Sequence, residues 1–329
     1  MKRAILSTVL LLTAADRHVL AQTGPPTTPS GRLLFTFHNG FYINLHHFLY
    51  VLGRARNGTP DSQRPAVNRA SFDLEGFDKL TDQDLQTWEA AITYYRNGPS
   101  KQDILFDTNL VSITRTLANT GDSAPLTRTT LPESLREILD RAAPIYRKVW
   151  WDRHSQSNQV RIRELQDLLN RYGQRASEMI THIYQQKWPD AGFIVEVSAY
   201  SNWAGAYSVV GGPIVIASTD ELTAGTRSLE IMFHEAMHQW DDTIIALLKQ
   251  TEDRLGSDPP HNLSHALIFY TAGYVVSQII PGHRPYAESM WAPRGTLPGR
   301  PQLDAHWLPY LRGEGTFGAA IEAVVAAFK

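Results

Sequence analysis

Residues 226–249, TRSLEIMFHEAMHQWDDTIIALLK, constrain this chain more than any other stretch. Leu229, Met232, Phe233, Ala236, Met237, Trp240, Ile244, Leu247 and Leu248 recur at helical spacing and define one broad apolar face, so the segment is expected to be a helix packed on a core. His234 and His238 then stand one turn apart at the margin of that face, where both rings can reach a single metal ion. Glu235 and Asp242 fall on the far side. Zinc acidifies a water molecule that it holds, and a carboxylate beside it can take the proton. The stretch therefore reads as a Zn2+ site with His234 and His238 as ligands and Glu235 as general base.

A catalytic zinc takes three protein ligands and keeps one position open. The position six beyond His238 holds Ile244, so the third ligand must come from further along. His265 is the first choice. It lies on the next helical segment, LSHALIFYTAGYVVSQI, and shares a face with Ile268, Phe269, Ala272, Val276 and Ile279. Glu288, Glu252, His261 and His283 follow in that order.

Before this helix the texture is different. Residues 192–218, GFIVEVSAYSNWAGAYSVVGGPIVIAS, are rich in Val, Ile and Tyr and punctuated by glycine, which predicts short strands near 193–198, 206–210 and 213–217. The edge of such a sheet can hold an extended peptide through main-chain hydrogen bonds.

His234-Glu235-Ala236-Met237-His238, with a small sheet before it and a ligand-bearing helix after it, resembles the zincin superfamily of metallopeptidases, more its thermolysin-type branch than the metzincins. The resemblance covers residues 192–280. It implies that His234 and His238 bind zinc, that Glu235 is the base and that the sheet edge aligns a peptide or protein substrate. Asn202 and Tyr207 lie where that edge would bind substrate. The chain departs from the thermolysin-type pattern in its third ligand, since the following helix offers His265 and no glutamate.

The rest of the chain is read as mainly helical. Helices are expected over 41–56, from the Thr81/Asp84 cap to 97, over 102–118, over 132–151 with a kink at Pro144, and over 159–187. A strand is expected over 33–38, and short helices near 301–311 and 316–328. Arg161, Arg163, Glu164, Arg171, Arg175 and Glu178 read as a solvated helix face. His38, His46 and His47 cluster near aromatics, a setting in which packed, hydrogen-bonded core histidines are the common outcome. The expected class is α+β, predominantly helical, with a zincin-like core whose sheet is small and mostly antiparallel. Residues 32–188 form a helical amino-terminal region and 189–329 a zincin-like metal-binding region, and the two can form one catalytic domain.

Composition narrows the partners. With 31 basic and 33 acidic residues in 329, no overall field favours nucleic acid or an anionic membrane. The absence of cysteine excludes disulfides, thiolate ligands and a cysteine nucleophile. Lys2 and Arg3, the apolar run over 4–15 and Val19-Leu20-Ala21 read as an export signal over 1–21, followed by a Pro/Thr linker over 22–31. The mature chain is then expected in the periplasm or outside the cell, away from the membrane. These features together point to an exported zinc hydrolase, most simply a metallopeptidase. Tyr207, Tyr286, His261 and His283 are its candidate oxyanion donors. The alternatives are a non-catalytic binding protein on the same scaffold and a zinc hydrolase of non-peptide amides or esters.

Overall fold

Four short strands, β1 (Phe35–His38), β2 (Phe193–Ser198), β3 (Ala206–Ser208) and β4 (Ile214–Ala217), form one sheet in the order β1-β2-β4-β3. A computed structural model describes residues 33–58, 65–71, 73–122, 125–209, 211–291 and 295–328. The export signal and the linker expected over 1–31 lie outside the described residues, as does the last position of the 206–210 strand.

The expectation of a mostly antiparallel sheet is corrected. β1 pairs with β2 and β2 with β4 in parallel, and only β3 runs antiparallel to β4. Three strands in close succession suggested a meander, but β3 is displaced to the outside and lets β4 return beside β2. Parallel pairing needs a long crossover. Between β1 and β2 it is supplied by seven helices: α1 (Phe41–Arg56), α2 (Pro65–Ser71), α3 (Asp82–Asn97), α4 (Thr108–Ala118), α5 (Glu133–Tyr146), α6 (Asp152–Leu168) and α7 (Gln174–Tyr184). The amino-terminal region thus contributes a strand to the sheet that precedes the motif. Gly192, at φ 65°, makes the β1–β2 approach possible, because a Cβ there would sit 2.6 Å from the Leu33 carbonyl oxygen.

After β4 come α8 (Thr226–Met237), α9 (Asp241–Leu255) and α10 (Leu263–Ile279), then the short α11 (Glu288–Trp291), α12 (Arg300–Gln302) and α13 (Leu308–Leu311), and finally α14 (Phe317–Ala326). The structure is mostly helical with a small mixed sheet, an α+β arrangement. Side chains alternate across the sheet. Phe35, Val195, Val197, Ile214 and Ile216 join the core of α7 to α10 and α14, while Tyr207 and Val215 join the core of α1 and α3 to α5. No helix among the described residues is long and apolar enough to cross a membrane.

Helix boundaries differ from the sequence reading: α4 starts at Thr108, where Asp107 caps it, and not at 102, and two further differences have identifiable reasons. The break expected between 151 and 159 is absent. α5, α6 and α7 run on through π turns at Arg147–Trp151 and Leu169–Gly173. Asn158, within the expected break, is used inside: its Nδ2 donates to Asn39 Oδ1 (2.7 Å) and Asn44 Oδ1 (2.9 Å), and its Oδ1 accepts from Ser218 Oγ (2.6 Å). Arg161 is not on a solvated face either, being buried with its guanidinium donating to the carbonyls of Thr223 and Ser218. The motif segment is two helices, not one, separated by a 3₁₀ turn at His238–Trp240.

A second buried polar junction closes the amino-terminal core. Asp73 accepts from Arg153 (2.5 Å), His154 (2.9 Å) and Tyr200 (2.8 Å), and Tyr146 donates to His154 Nδ1 (2.9 Å). Burial pushes the Asp73 carboxyl up, but the hydrogen bonds from His154, Arg153 and Tyr200 outweigh it and hold the group well below the usual carboxylate range. A depressed carboxyl stabilises the fold above its unfolded pKa of about 3.9 and ceases to do so as pH falls towards its folded value. Asp73→Asn is therefore expected to lower urea stability by about 2–4 kcal/mol at pH 7. The gap to the parent should narrow below about pH 4, and a gap independent of pH would contradict this.

Candidate metal centre

α8 carries His234 and Glu235, the 3₁₀ turn that ends it carries His238, and α10 packs against α8 with His265 facing it. α8 is buried all along from Ser228 to Met237, so its side chains emerge into a dry interior. His234 Nε2 lies 3.3 Å from His238 Nε2 and 3.2 Å from His265 Nε2. Tetrahedral coordination with metal–nitrogen bonds of about 2.0–2.1 Å separates ligand nitrogens by about 3.3 Å. Imidazole nitrogens this close need a proton shared in an N–H···N hydrogen bond or a cation between them, and a metal ion serves all three at once. Among the described residues these three form the one group of His, Cys, Asp or Glu side chains placed to hold a metal ion.

The support of each ring differs. His238 Nδ1 donates to Asp241 Oδ2 at 2.6 Å, which leaves the lone pair on Nε2, the atom that faces the other rings. Asp241 opens α9, where the helix N-terminus favours a carboxylate. Among the described residues His234 has no such partner. Its Nδ1 is buried without a hydrogen bond, and its ring instead lies against Phe269, with centroids 3.7 Å apart and planes at 28°. Phe269 stands one turn beyond His265 on α10 and also touches that ring, at 4.7 Å.

The electrostatics suit a cation. Burial holds the His234 imidazole well below its usual range, and the neighbouring His238 and His265 add to the effect. Burial, with His238, lowers His265 to about 4. Burial also works against the charged form of His238, but the hydrogen bond to Asp241 and the charges of Glu235 and Asp241 outweigh it and raise that ring. Glu235 is buried rather than solvated. Burial raises its carboxyl, while His238 and the hydrogen bond from Ser208 pull it part of the way back. Ser208 Oγ lies 2.5 Å from Glu235 Oε2 and 2.9 Å from the Glu235 carbonyl oxygen, so β3 is bound to the motif helix at the glutamate.

The other sequence candidates go elsewhere. Glu252 pairs with Lys249 at 2.7 Å on α9, Glu288 is exposed at the start of α11, and His261 is exposed in the α9–α10 connection. His283 lies between Glu230 and Thr226. Tyr207 points to the opposite face of the sheet from Ser208, where its hydroxyl donates to His47 Nε2 at 2.7 Å. Asn202 shapes the turn into β3, its Oδ1 accepting from the amides of Ala204 and Gly205 at 3.0 Å each. Neither is brought to the histidines. His46 and His47 are buried core residues, and His38 pairs with Glu196 at 3.1 Å. Of the oxyanion candidates, Tyr286 is nearest in the packing, its ring stacked on Phe269 at 6.1 Å.

Sequence reasoning missed Ser208, Asp241 and Phe269. Asp241 had a signal, a carboxylate three residues beyond the second histidine. Phe269 had a weaker one, an aromatic four residues beyond His265 on the same face. Ser208 had none, since its role depends on how β3 docks.

Comparison with known proteins yields no likeness: no family model, no curated protein and no solved structure matches this chain.

The geometry sets a test. The purified parent should hold about one equivalent of zinc, and His265→Ala should lose most of it, as expected when one of three ligands is removed. Elemental analysis after dialysis measures this, and unchanged zinc in the variant would remove His265 from the site.

Proposed function

We propose that this chain is an exported zinc-dependent hydrolase that cleaves peptides, with His234, His238 and His265 as ligands and Glu235 as general base. The observation that carries the reading is the convergence of three Nε2 atoms, 3.2 and 3.3 Å apart, beside a buried carboxylate that is not among them. A zinc ion held by these nitrogens supplies a Lewis acid for a carbonyl and acidifies a water molecule. Glu235 would be the group that takes a proton from that water. Its carboxyl is raised by burial, which makes it a stronger base, and Ser208 engages Oε2, so that Oε1 is the accepting atom. A free-standing metal-binding scaffold has no need of a carboxylate buried in this position.

The edge strand favours a peptide over other substrates. Ala217 donates to the Gly205 carbonyl at 2.8 Å and Val209 to the Pro213 carbonyl at 3.0 Å, and Tyr207 is registered opposite Val215. Antiparallel strands alternate their hydrogen-bonding direction. Ala206 and Ser208 therefore turn their amides and carbonyls away from β4, towards the outer edge. A substrate main chain laid along that edge meets the same residue that holds the base. Lys2, Arg3 and the apolar run after them support export to the periplasm or beyond. The motif, the sheet before it and the helix after it support membership of the zincins, with His265 in place of the glutamate of the thermolysin-type branch.

Glu235→Gln separates a hydrolase from a binding protein. The variant is expected to keep its fold and zinc while hydrolysis of peptides found by library screening falls by at least about 10²-fold, the lower end for general-base catalysis. Undiminished turnover in the variant, or no peptide cleaved by the zinc-loaded parent, would contradict the peptidase reading.

A further inference from the structure

Glu230 lies one turn before His234 on α8, almost wholly buried, and is not among the residues placed to hold a metal ion. Its carboxylate accepts the Tyr286 amide through both oxygens, at 3.0 and 2.9 Å, and takes a third hydrogen bond at Oε2 from His283 Nε2 at 2.6 Å. The His283 side chain is fully buried, and its Nδ1 is 2.8 Å from Thr226 Oγ1 at the start of the same helix. The connection after α10 is thus fastened to α8 at two points one turn apart. α10 allows the approach by carrying Gly273, where a Cβ would come 2.7 Å from Pro285 and 3.2 Å from Glu230 Oε1. A buried carboxylate is costly unless its hydrogen bonds are satisfied, so a tie of this kind resists displacement.

The tie leads back to the ligands. Tyr286, whose amide Glu230 holds, stacks on Phe269 with planes at 21°, and Phe269 lies against the face of His234. Metal-bound histidines usually have their second nitrogen fixed by a hydrogen bond. His238 has that support from Asp241, whereas the buried Nδ1 of His234 has no partner among the described residues. We propose that Glu230 is the positioning residue for His234, acting through Tyr286 and Phe269: the stack replaces the missing hydrogen bond, and the Glu230–His283 tie holds the stack in place. The inference rests on the metal-centre reading for its consequence, but its structural part is independent of it.

Two measurements test it. In metal-free protein, hydrogen exchange should show the Tyr286 amide protected in the parent and exposed in Glu230→Ala, while Glu230→Gln, which keeps an acceptor oxygen, retains protection. In competition with a chromophoric chelator, Glu230→Ala and Phe269→Leu should each weaken zinc binding by about 10- to 100-fold, the range for lost outer support of a ligand. The double variant should lose little more than either single one, because both act on one path. Asp73→Asn, which breaks a buried carboxylate network in the other core, should lower stability without changing zinc affinity. Equal zinc affinity in Glu230→Ala and parent, or additive losses in the double variant, would overturn the proposal. So would an unprotected Tyr286 amide in the parent. A parent that binds no zinc would instead refute the metal-centre reading, and the exchange measurement would still decide whether Glu230 holds the stack.

Discussion

Everything around α8 follows from holding three imidazole nitrogens together in a mostly buried place, with those of His238 and His265 3.3 and 3.2 Å from that of His234 and all three within 4.8 Å of one another. Bare lone pairs do not gather there of their own accord. The rings are driven together by what they are attached to: α8 buried along its length, α10 packed on it, and a 3₁₀ turn that ends α8 at His238 and starts α9 at Asp241. That turn interrupts the helix where an uninterrupted one would fit the apolar pattern equally well. It brings Asp241 to the ring of His238.

The same burial sets the chemistry. It favours the neutral imidazole at His234 and His265, the form that binds a cation, and raises the carboxyl of Glu235, which makes its ionised form a stronger base. The mixed sheet contributes by placing its antiparallel strand outermost. β3 can then present backbone groups to its outer edge and Ser208 to Glu235 at once. The support of the three histidines is uneven, with a carboxylate behind His238 and an aromatic stack behind His234. The connection after α10 carries Tyr286, whose ring continues that stack.

Much of this was legible in the sequence. The His234/His238 spacing, the apolar face around it and His265 on the next amphipathic segment were read from local periodicity, and the structure brings all three together. The strands near 193–198, 206–210 and 213–217 were legible from β-branched runs, but their order was not, because strand pairing is set by contacts far apart in sequence. Polar residues misled where they are satisfied internally. Arg161 read as part of a solvated face and is buried, its guanidinium donating to the carbonyls of Thr223 and Ser218. Tyr207 was placed on the edge strand, and period two turns its side chain to His47 while Ser208 faces α8.

X-ray absorption at the zinc edge of the purified, zinc-loaded protein tests the central claim most directly. The account predicts a first shell of three imidazole nitrogens and one further light atom at about 2.0–2.1 Å, with the outer-shell scattering of three histidine rings. In His265→Ala one ring should be missing from that pattern. A shell containing only two imidazoles in the parent, or one unchanged by the substitution, would contradict it.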